Sequence, residues 1–198
     1  MAGVLTSREL LVLITAFQDG IDADLRPLRH KKLLYCRRAF DPTQLEAFHS
    51  DFAPWWHAQG TSGLDRLLAA MPYTRRLVAV CAAKYNYPAV VRYLCERFPD
   101  SMSNIMLHTA AREGNLDLVR FFVDASFTGS ISDLWCIAVN TNNVALVALL
   151  VEIRPLQVPT WLGTSMSLSP AMAQILLAHG IDLTPSAMYS AAKDGCLE

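Results

Sequence analysis

Residues 107–125 read LHTAAREGNLDLVRFFVDA. Apolar residues recur in this stretch every three or four positions, which is the spacing of an amphipathic helix. Gly114 and Asn115 interrupt the pattern, and a glycine inside a helix costs roughly 1 kcal/mol relative to alanine. The stretch is therefore either one weakened helix or two short helices that fold back on each other at the Gly-Asn pair.

The same arrangement returns along the chain. A small residue recurs at Ala58, Ala82, Ala110, Ala138, Thr164 and Ala191, and the successive spacings between them are 24, 28, 28, 26 and 27 residues. A repeat at a period in this range is typical of a solenoid of stacked structural units. Small side chains in the first helix of each unit would let neighbouring units approach closely.

A second column of residues supports this register. The position of Leu107 is apolar in every unit and is occupied by Trp55, Ala79, Leu107, Trp135, Trp161 and Met188. We therefore expect these side chains, including the tryptophans, to pack in the core rather than to form a ladder for ligand stacking.

The position of Gly114 and Asn115 also repeats. Its equivalents are Asn86-Tyr87, Asn142-Asn143, Leu168-Ser169 and Gly195-Cys196. Asn and Gly tolerate the left-handed backbone that ends a helix, and Pro88 and Pro170 follow two of these pairs, where proline suits the first turn of a new helix. The pattern predicts that each unit is a hairpin of two helices.

These residues resemble a known family. The phrase Leu107-His108-x-Ala110-Ala111 followed by Gly114-Asn115-Leu116-x-Leu118-Val119 resembles the ankyrin repeat. The resemblance covers about residues 52–198, with units about six residues shorter than the usual length of about 33. It implies helix pairs joined by short loops, with the protruding β-hairpin fingers of the family reduced or absent.

The predicted organisation is an all-α solenoid behind a helical N-terminal cap. The cap covers residues 1–50, and the array covers residues 51–198 with units starting near residues 52, 76, 104, 132, 158 and 185. The last unit is incomplete at Glu198, which favours a truncated array. Within the cap, the run from Leu5 to Leu11 with Ile14, Asp24-Leu25 and Leu28-Arg29 faintly resembles an F-box.

A basic cluster lies in the predicted second helix of the cap, residues 25–39. Its members are Arg26, Arg29, Lys31, Lys32, Arg37 and Arg38. One interpretation of the cluster is a patch for nucleic acid or for nuclear import. The other is the solvated face of a capping helix whose leucines, Leu25, Leu28, Leu33 and Leu34, are turned inward. No aromatic platform accompanies the basic residues, so the capping helix is the favoured interpretation.

Composition narrows the class of protein. Hydrophobic residues make up 53% of the chain, charged residues 18%, and the formal net charge is -1, which argues against disorder and against nucleic-acid binding through the overall field. The apolar runs are interrupted by Asn or Pro clusters, so no membrane-spanning helix is expected. The five cysteines lack metal-site spacing and suggest buried, reduced thiols. A cytoplasmic protein is expected, with a nuclear location as the alternative.

No motif in the chain predicts catalysis, a metal or a cofactor. The GxSxG, HExxH, Walker and GxGxxG patterns are all missing. His108 could suggest a ligand, but the resemblance implies that a histidine at this place hydrogen-bonds neighbouring backbone. We therefore expect a protein that is not an enzyme.

Candidate contact residues occupy first-helix columns whose residue type varies. They are Lys84, Tyr85, Thr109, Arg112, Glu113 and Asn140, and the resemblance places them on the concave face of the repeat stack. The expected function is recognition of another protein there, without nucleic acid or membrane. Two alternatives stay open: an F-box-like substrate adaptor of a ubiquitin ligase, and a regulatory repeat region of a longer protein, with further repeats or an activity beyond residue 198.

Overall fold

The computed structural model describes residues 21–29, 42–99, 103–125, 131–153, 159, 161–162 and 168–193. Within these ranges every regular element is helical, which confirms the all-α class, and short 3₁₀ turns stand at Ala23–Leu25 and Pro72–Thr74. The α-helices in the described ranges are α1 (Arg26–Arg29), α2 (Pro42–Ala70), α3 (Arg75–Lys84), α4 (Pro88–Arg97), α5 (Asn104–Arg112), α6 (Leu116–Asp124), α7 (Ile131–Asn140), α8 (Val144–Ile153), α9 (Pro170–Ala178) and α10 (Pro185–Lys193).

The described residues fall into two compact units. The first contains the residues up to Cys81 together with 92–99, and the second contains residues 82–91 and those from 103 onward. Residues 50 and 51, between which the sequence separates cap from repeats, both lie inside α2. The division into a cap and an array remains a prediction.

In the first unit, α2 is broken at Gly60. Gly60 has φ +61° and ψ −155°, a region of backbone space that is essentially restricted to glycine. The break comes two residues after Ala58, whereas Gly114 comes four residues after Ala110. Ala58 is exposed while Ala110 is fully buried, so the sequence equivalence of these two alanines is wrong.

A polar cluster holds residues 22–29 against α2. The indole Nε1 of Trp55 donates to Asp24 Oδ2 at 3.0 Å, and the Arg66 guanidinium donates to Asp22 and Asp24, each at 2.9 Å. Leu25 and Leu28 are buried, as the amphipathic pattern predicts. The F-box-like run before Asp24, together with Leu33, Leu34 and four of the six basic residues, lies outside the described residues.

Contacts at the far ends of α3 and α4 show that the two helices are antiparallel. The guanidinium of Arg75, the first residue of α3, lies 3.9 Å from the ring centroid of Phe98, just after α4. The hydroxyl of Tyr93 on α4 donates to the Asp65 carboxylate on α2, and its pKa is raised to about 12 by burial and by this acidic partner. These contacts all lie within the first unit.

The stretch from residue 107 to 125 is two helices. In the second unit, α5 ends at Arg112, Gly114 turns the chain with φ +76°, and α6 begins at Leu116. α7 and α8 repeat this arrangement. Helix α5 contacts α6 and α7, α8 contacts α6, α7 and α9, and α9 contacts α10.

The apolar column of Leu107 is buried in four places and exposed in two. Trp55, Ala79, Leu107 and Trp135 are buried, whereas Trp161 is 36% and Met188 42% exposed. The prediction of a core role is therefore confirmed for the first four residues and wrong for Trp161 and Met188. The first helix predicted around Thr164 lies outside the described residues.

Candidate functional site

One backbone geometry occurs in three turns that each follow the first helix of a predicted hairpin. Asn86, Gly114 and Asn142 all have positive φ, at 56°, 76° and 50°. The amide of the next residue in each turn donates to the carbonyl of the alanine five positions earlier. These hydrogen bonds run from Tyr87 to Ala82 at 2.9 Å, from Asn115 to Ala110 at 2.8 Å and from Asn143 to Ala138 at 2.9 Å. This is the Schellman motif, which satisfies carbonyls that a helix end leaves unpaired. It occurs again at Gly180 after α9, where the Ile181 amide donates to the Leu176 carbonyl at 3.0 Å.

In the second unit, the side chain of Asn115 joins two neighbouring turns. Asn115 Nδ2 donates to the carbonyls of Ala83 and Lys84 at 2.7 and 3.0 Å, so the turn after α5 is tied to the end of α3. A Cβ placed on Gly114 would lie 3.5 Å from Asn143 Nδ2, so the turn after α7 lies next to the turn after α5. The ends of α3, α5 and α7 therefore lie next to one another in chain order.

The candidate residues from the sequence lie at these helix ends. We call the side chains of Lys84, Tyr85, Thr109, Arg112, Glu113 and Asn140 the helix-end surface. Lys84, Arg112 and Asn140 are the last residues of α3, α5 and α7, and Tyr85 and Glu113 follow the first two directly. The structure thus brings all six residues to the corresponding ends of three first helices.

Members of the helix-end surface differ in how firmly they are held. Lys84 and Tyr85 are half-buried, and the ammonium of Lys84 lies 5.3 Å from the centroid of the Tyr85 ring, within the range of a cation–π contact. Arg112, Glu113 and Asn140 are exposed, and Thr109 is half-buried. The side chains of these last four residues make no hydrogen bond or ion pair with another described residue.

Part of this chemistry has a purely structural explanation. A cation in the last turn of a helix stabilises the negative end of the helix dipole, and Lys84 and Arg112 both occupy that position. This explanation does not extend to Glu113 or Asn140. Those two side chains are exposed polar groups that make no hydrogen bond or ion pair in the described part of the chain.

His108 lies beside this surface and makes a contact that sequence reasoning missed. Its Nε2 is 3.6 Å from Asp133 Oδ2 on α7, beyond hydrogen-bonding distance, and this buried nitrogen has no hydrogen-bond partner among the described residues. Nε2 therefore does not make the backbone hydrogen bond predicted for this histidine. Burial lowers the His108 pKa, the Asp133 carboxylate opposes that effect, and the Arg112 charge adds to it.

The cysteines differ from one another in environment. Cys81 is fully buried, as the sequence predicts for the cysteines, whereas Cys136 is exposed, so the prediction of a buried thiol is wrong for Cys136. Burial raises the pKa of the Cys95 thiol to about 11, so this group is unreactive at neutral pH. None of these three residues forms a disulfide.

The described ranges contain neither a metal-binding cluster nor a membrane-spanning helix. No group of three or more His, Cys, Asp or Glu side chains there is placed to hold a metal ion. None of the helices in the same ranges has the length and apolar character needed to cross a membrane.

The chain matches no protein-family model, and comparison with curated proteins and with solved structures found no match either. The assignment to the ankyrin family therefore remains a prediction from the sequence.

Proposed function

We propose that this protein is a non-catalytic protein-binding module, built as a solenoid of short ankyrin-like hairpins, that recognises another protein through the helix-end surface. One observation carries the proposal. Arg112, Glu113 and Asn140 are exposed side chains that make no hydrogen bond or ion pair with the described residues, and they lie in or directly before turns whose backbone is held by the same hydrogen bond.

The succession of contacts in the second unit supports the solenoid. Each helix from α5 to α10 contacts helices next to it in the chain or in the next hairpin, which is the nearest-neighbour packing of repeat proteins. The three Schellman turns recur 28 residues apart, at Asn86, Gly114 and Asn142. Because the turns are evenly spaced, exposed residues beside them, such as Arg112 and Asn140, also recur at a regular spacing along the chain.

The locked turns would favour binding by reducing its entropic cost. Association loses free energy when loops and side chains must be ordered at an interface. Here the Asn115 side chain bonds the carbonyls of Ala83 and Lys84 before any partner arrives. Tyr85 and Arg112 belong to residue types that are enriched among binding hot spots, so they are the expected energetic centre.

Site-specific photo-crosslinking tests this proposal. A benzophenone amino acid is introduced in the full chain at position 112, at position 140, or at Asp124, an exposed residue at the opposite end of the α5–α6 hairpin from the turn. After irradiation in cell extract, positions 112 and 140 should label the same protein while position 124 does not. Equal labelling from all three positions, or labelling from position 124 alone, would overturn the assignment of the surface.

An affinity measurement with the captured protein then determines how much Arg112 contributes to the free energy of binding. Arg112→Ala should weaken its binding at least tenfold, equivalent to about 1.4 kcal/mol. The free energy of unfolding should change by less than about 0.5 kcal/mol, because the side chain is exposed. Asp124→Ala is the matched control and should alter neither quantity. A loss of binding explained by unfolding would count against the proposal.

A further inference from the structure

The guanidinium of Arg75 is a half-buried charge without an ion-pair partner in the described part of the chain. Its Cζ lies 3.9 Å from the centroid of the Phe98 ring, and its Nε is buried and has no hydrogen-bond partner there. A charged N–H that loses water without gaining an acceptor is unfavourable. Arg75 is also the first residue of α3, where the positive end of the helix dipole disfavours a cation.

Other arginines that join two elements do have carboxylate partners. Arg66 pairs with Asp24 at 2.9 Å, and Arg120 pairs with Glu152 at 3.0 Å. Within the described ranges, Arg75 lacks the acceptor that these two arginines have. Its stacking on an aromatic ring is a favourable contact, but it does not supply an acceptor for the N–H groups.

A second arginine lies beside the same aromatic ring. Arg97 is the last residue of α4 and directly precedes Phe98 in the chain, and it is exposed. Tyr93 lies one turn before Arg97 on the same face of α4. Burial and Asp65 raise the pKa of Tyr93, and the charges of Arg97 and Arg75 partly offset this rise. Both guanidinium groups therefore lie close enough to act on one hydroxyl group.

The acidic residues near this place do not neutralise the two arginines. The Asp65 carboxylate accepts the hydrogen bond of Tyr93 and makes no ion pair with any described residue. Glu96, the only acidic residue between positions 71 and 98, makes none either. The same stretch contains five basic residues. An excess of positive charge therefore remains around Arg75 and Arg97.

We propose that Arg75 and Arg97 form a binding site for a phosphoryl group. A guanidinium group is planar, and all its N–H donors lie in that plane, so stacking on Phe98 fixes the orientation of Arg75 and leaves its donors available. Two such groups match the oxygens of a phosphoryl group, which carries nearly two negative charges at neutral pH. The site contains no residue of the helix-end surface, and the inference does not rest on the function proposed for that surface.

An NMR titration of the full chain tests the site at its unpartnered atom. The Nε–Hε signal of Arg75 is followed at about pH 6.5, where a phosphate monoester is mostly the dianion. Sodium chloride holds the ionic strength at about 0.15 M, so that long-range attraction is screened. Added N-acetyl-phosphoserine amide or inorganic phosphate should shift the signal saturably, with a Kd of about 1 mM or tighter.

The two compounds distinguish two sources of the phosphoryl group. Tighter binding of the phosphoserine derivative would support a phosphorylated polypeptide as the ligand. Tighter binding of inorganic phosphate would support the free ion. Either order of affinity supports the site itself.

Matched variants locate the binding on the protein. Arg97→Gln should weaken it at least tenfold, while Arg120→Gln, which removes an arginine that already has a carboxylate partner, should leave it unchanged. Arg75→Gln, followed at the backbone amide of Phe98, should have the same effect as Arg97→Gln. Circular dichroism checks the fold of each variant. If Arg75→Gln is unfolded, Arg97→Gln decides the test, because Arg97 is exposed.

Three results would overturn the proposal. The Arg75 signal could stay unchanged with either compound at concentrations up to about 20 mM. Sodium acetate could shift it as strongly as the phosphate compounds do, in which case the site does not select a phosphoryl group. Arg97→Gln and Arg120→Gln could bind equally well, in which case the shift reflects the net charge of the protein and not a site at Arg75 and Arg97.

Discussion

Trp135 and Trp161 occupy the same column of the repeat, yet their surroundings differ completely. Trp135 is fully buried in the α5–α8 region, where each hairpin has a neighbour, whereas Trp161 is 36% exposed. Met188 on α10 is exposed like Trp161 although Leu107, its counterpart on α5, is buried. The same place in the sequence pattern therefore does not fix burial, which depends on what packs around the residue.

The largest expected effect compares these two tryptophans. Trp135→Ala should cost about 3–5 kcal/mol of unfolding free energy, as a large core truncation does. Trp161→Ala should cost clearly less than Trp135→Ala, because Trp161 is 36% exposed. Urea unfolding followed by circular dichroism, which does not depend on either indole, measures both. Equal losses would mean that the difference in burial is wrong.

Overpacking the small first-helix positions should have the next largest effect. Ala110 and Ala138 are fully buried, so Ala110→Leu or Ala138→Leu should cost about 1–3 kcal/mol through displacement of the neighbouring helices. Ala58→Leu, at the position the sequence equates with them, should stay within about 0.5 kcal/mol because Ala58 is exposed. A large loss for Ala58→Leu would restore the sequence register in the first repeat.

Substitution at Gly114 tests the turns. Gly114→Ala should cost about 1–2 kcal/mol, the penalty for a side chain in left-handed backbone. The added Cβ would be 3.5 Å from Asn143 Nδ2, an ordinary contact, so the loss would come from the backbone. Gly114→Asn should cost less, since asparagine already occupies this conformation at Asn86 and Asn142. Equal losses in thermal unfolding would argue for a steric cause instead.

A smaller effect concerns pH. The His108 pKa is lowered in the folded state, chiefly by burial, so the unfolded chain takes up the proton first as pH falls through about 6.5. His108 should therefore reduce stability progressively below that pH and contribute no such loss above it. The difference in unfolding free energy between wild type and His108→Gln, measured by urea unfolding from pH 8 to pH 5, isolates the contribution of His108. Exposed His57→Gln is the control, and a difference of opposite sign would contradict the assignment.

The sequence predicts the turns well because their cause is local. Left-handed backbone requires Gly or Asn at one position, and the small alanine four residues earlier lies within the same hairpin. The spacing therefore places the breaks at Asn86, Gly114 and Asn142, where the structure has them. The break of α2 was not predicted, because Gly60 stands at a different distance from its alanine.

Contacts between distant segments could not be predicted in this way. The bond from Trp55 to Asp24 and the approach of His108 to Asp133 join residues on different elements, and no spacing in the chain encodes them. The same limit explains Cys136, which is exposed although the sequence predicts a buried thiol. For the candidate site, the columns predicted the positions of Arg112, Glu113 and Asn140, while their lack of described partners emerged only from the structure.

The central claim is that one turn geometry, repeated three times, holds the hairpins in register. Amide hydrogen exchange resolved by NMR tests it most directly, at Tyr87, Asn115 and Asn143, whose amides donate to Ala82, Ala110 and Ala138. The account predicts that all three amides are protected to a degree approaching that of the buried helix amides. Exchange of Asn115 or Asn143 as fast as an exposed loop amide would contradict it.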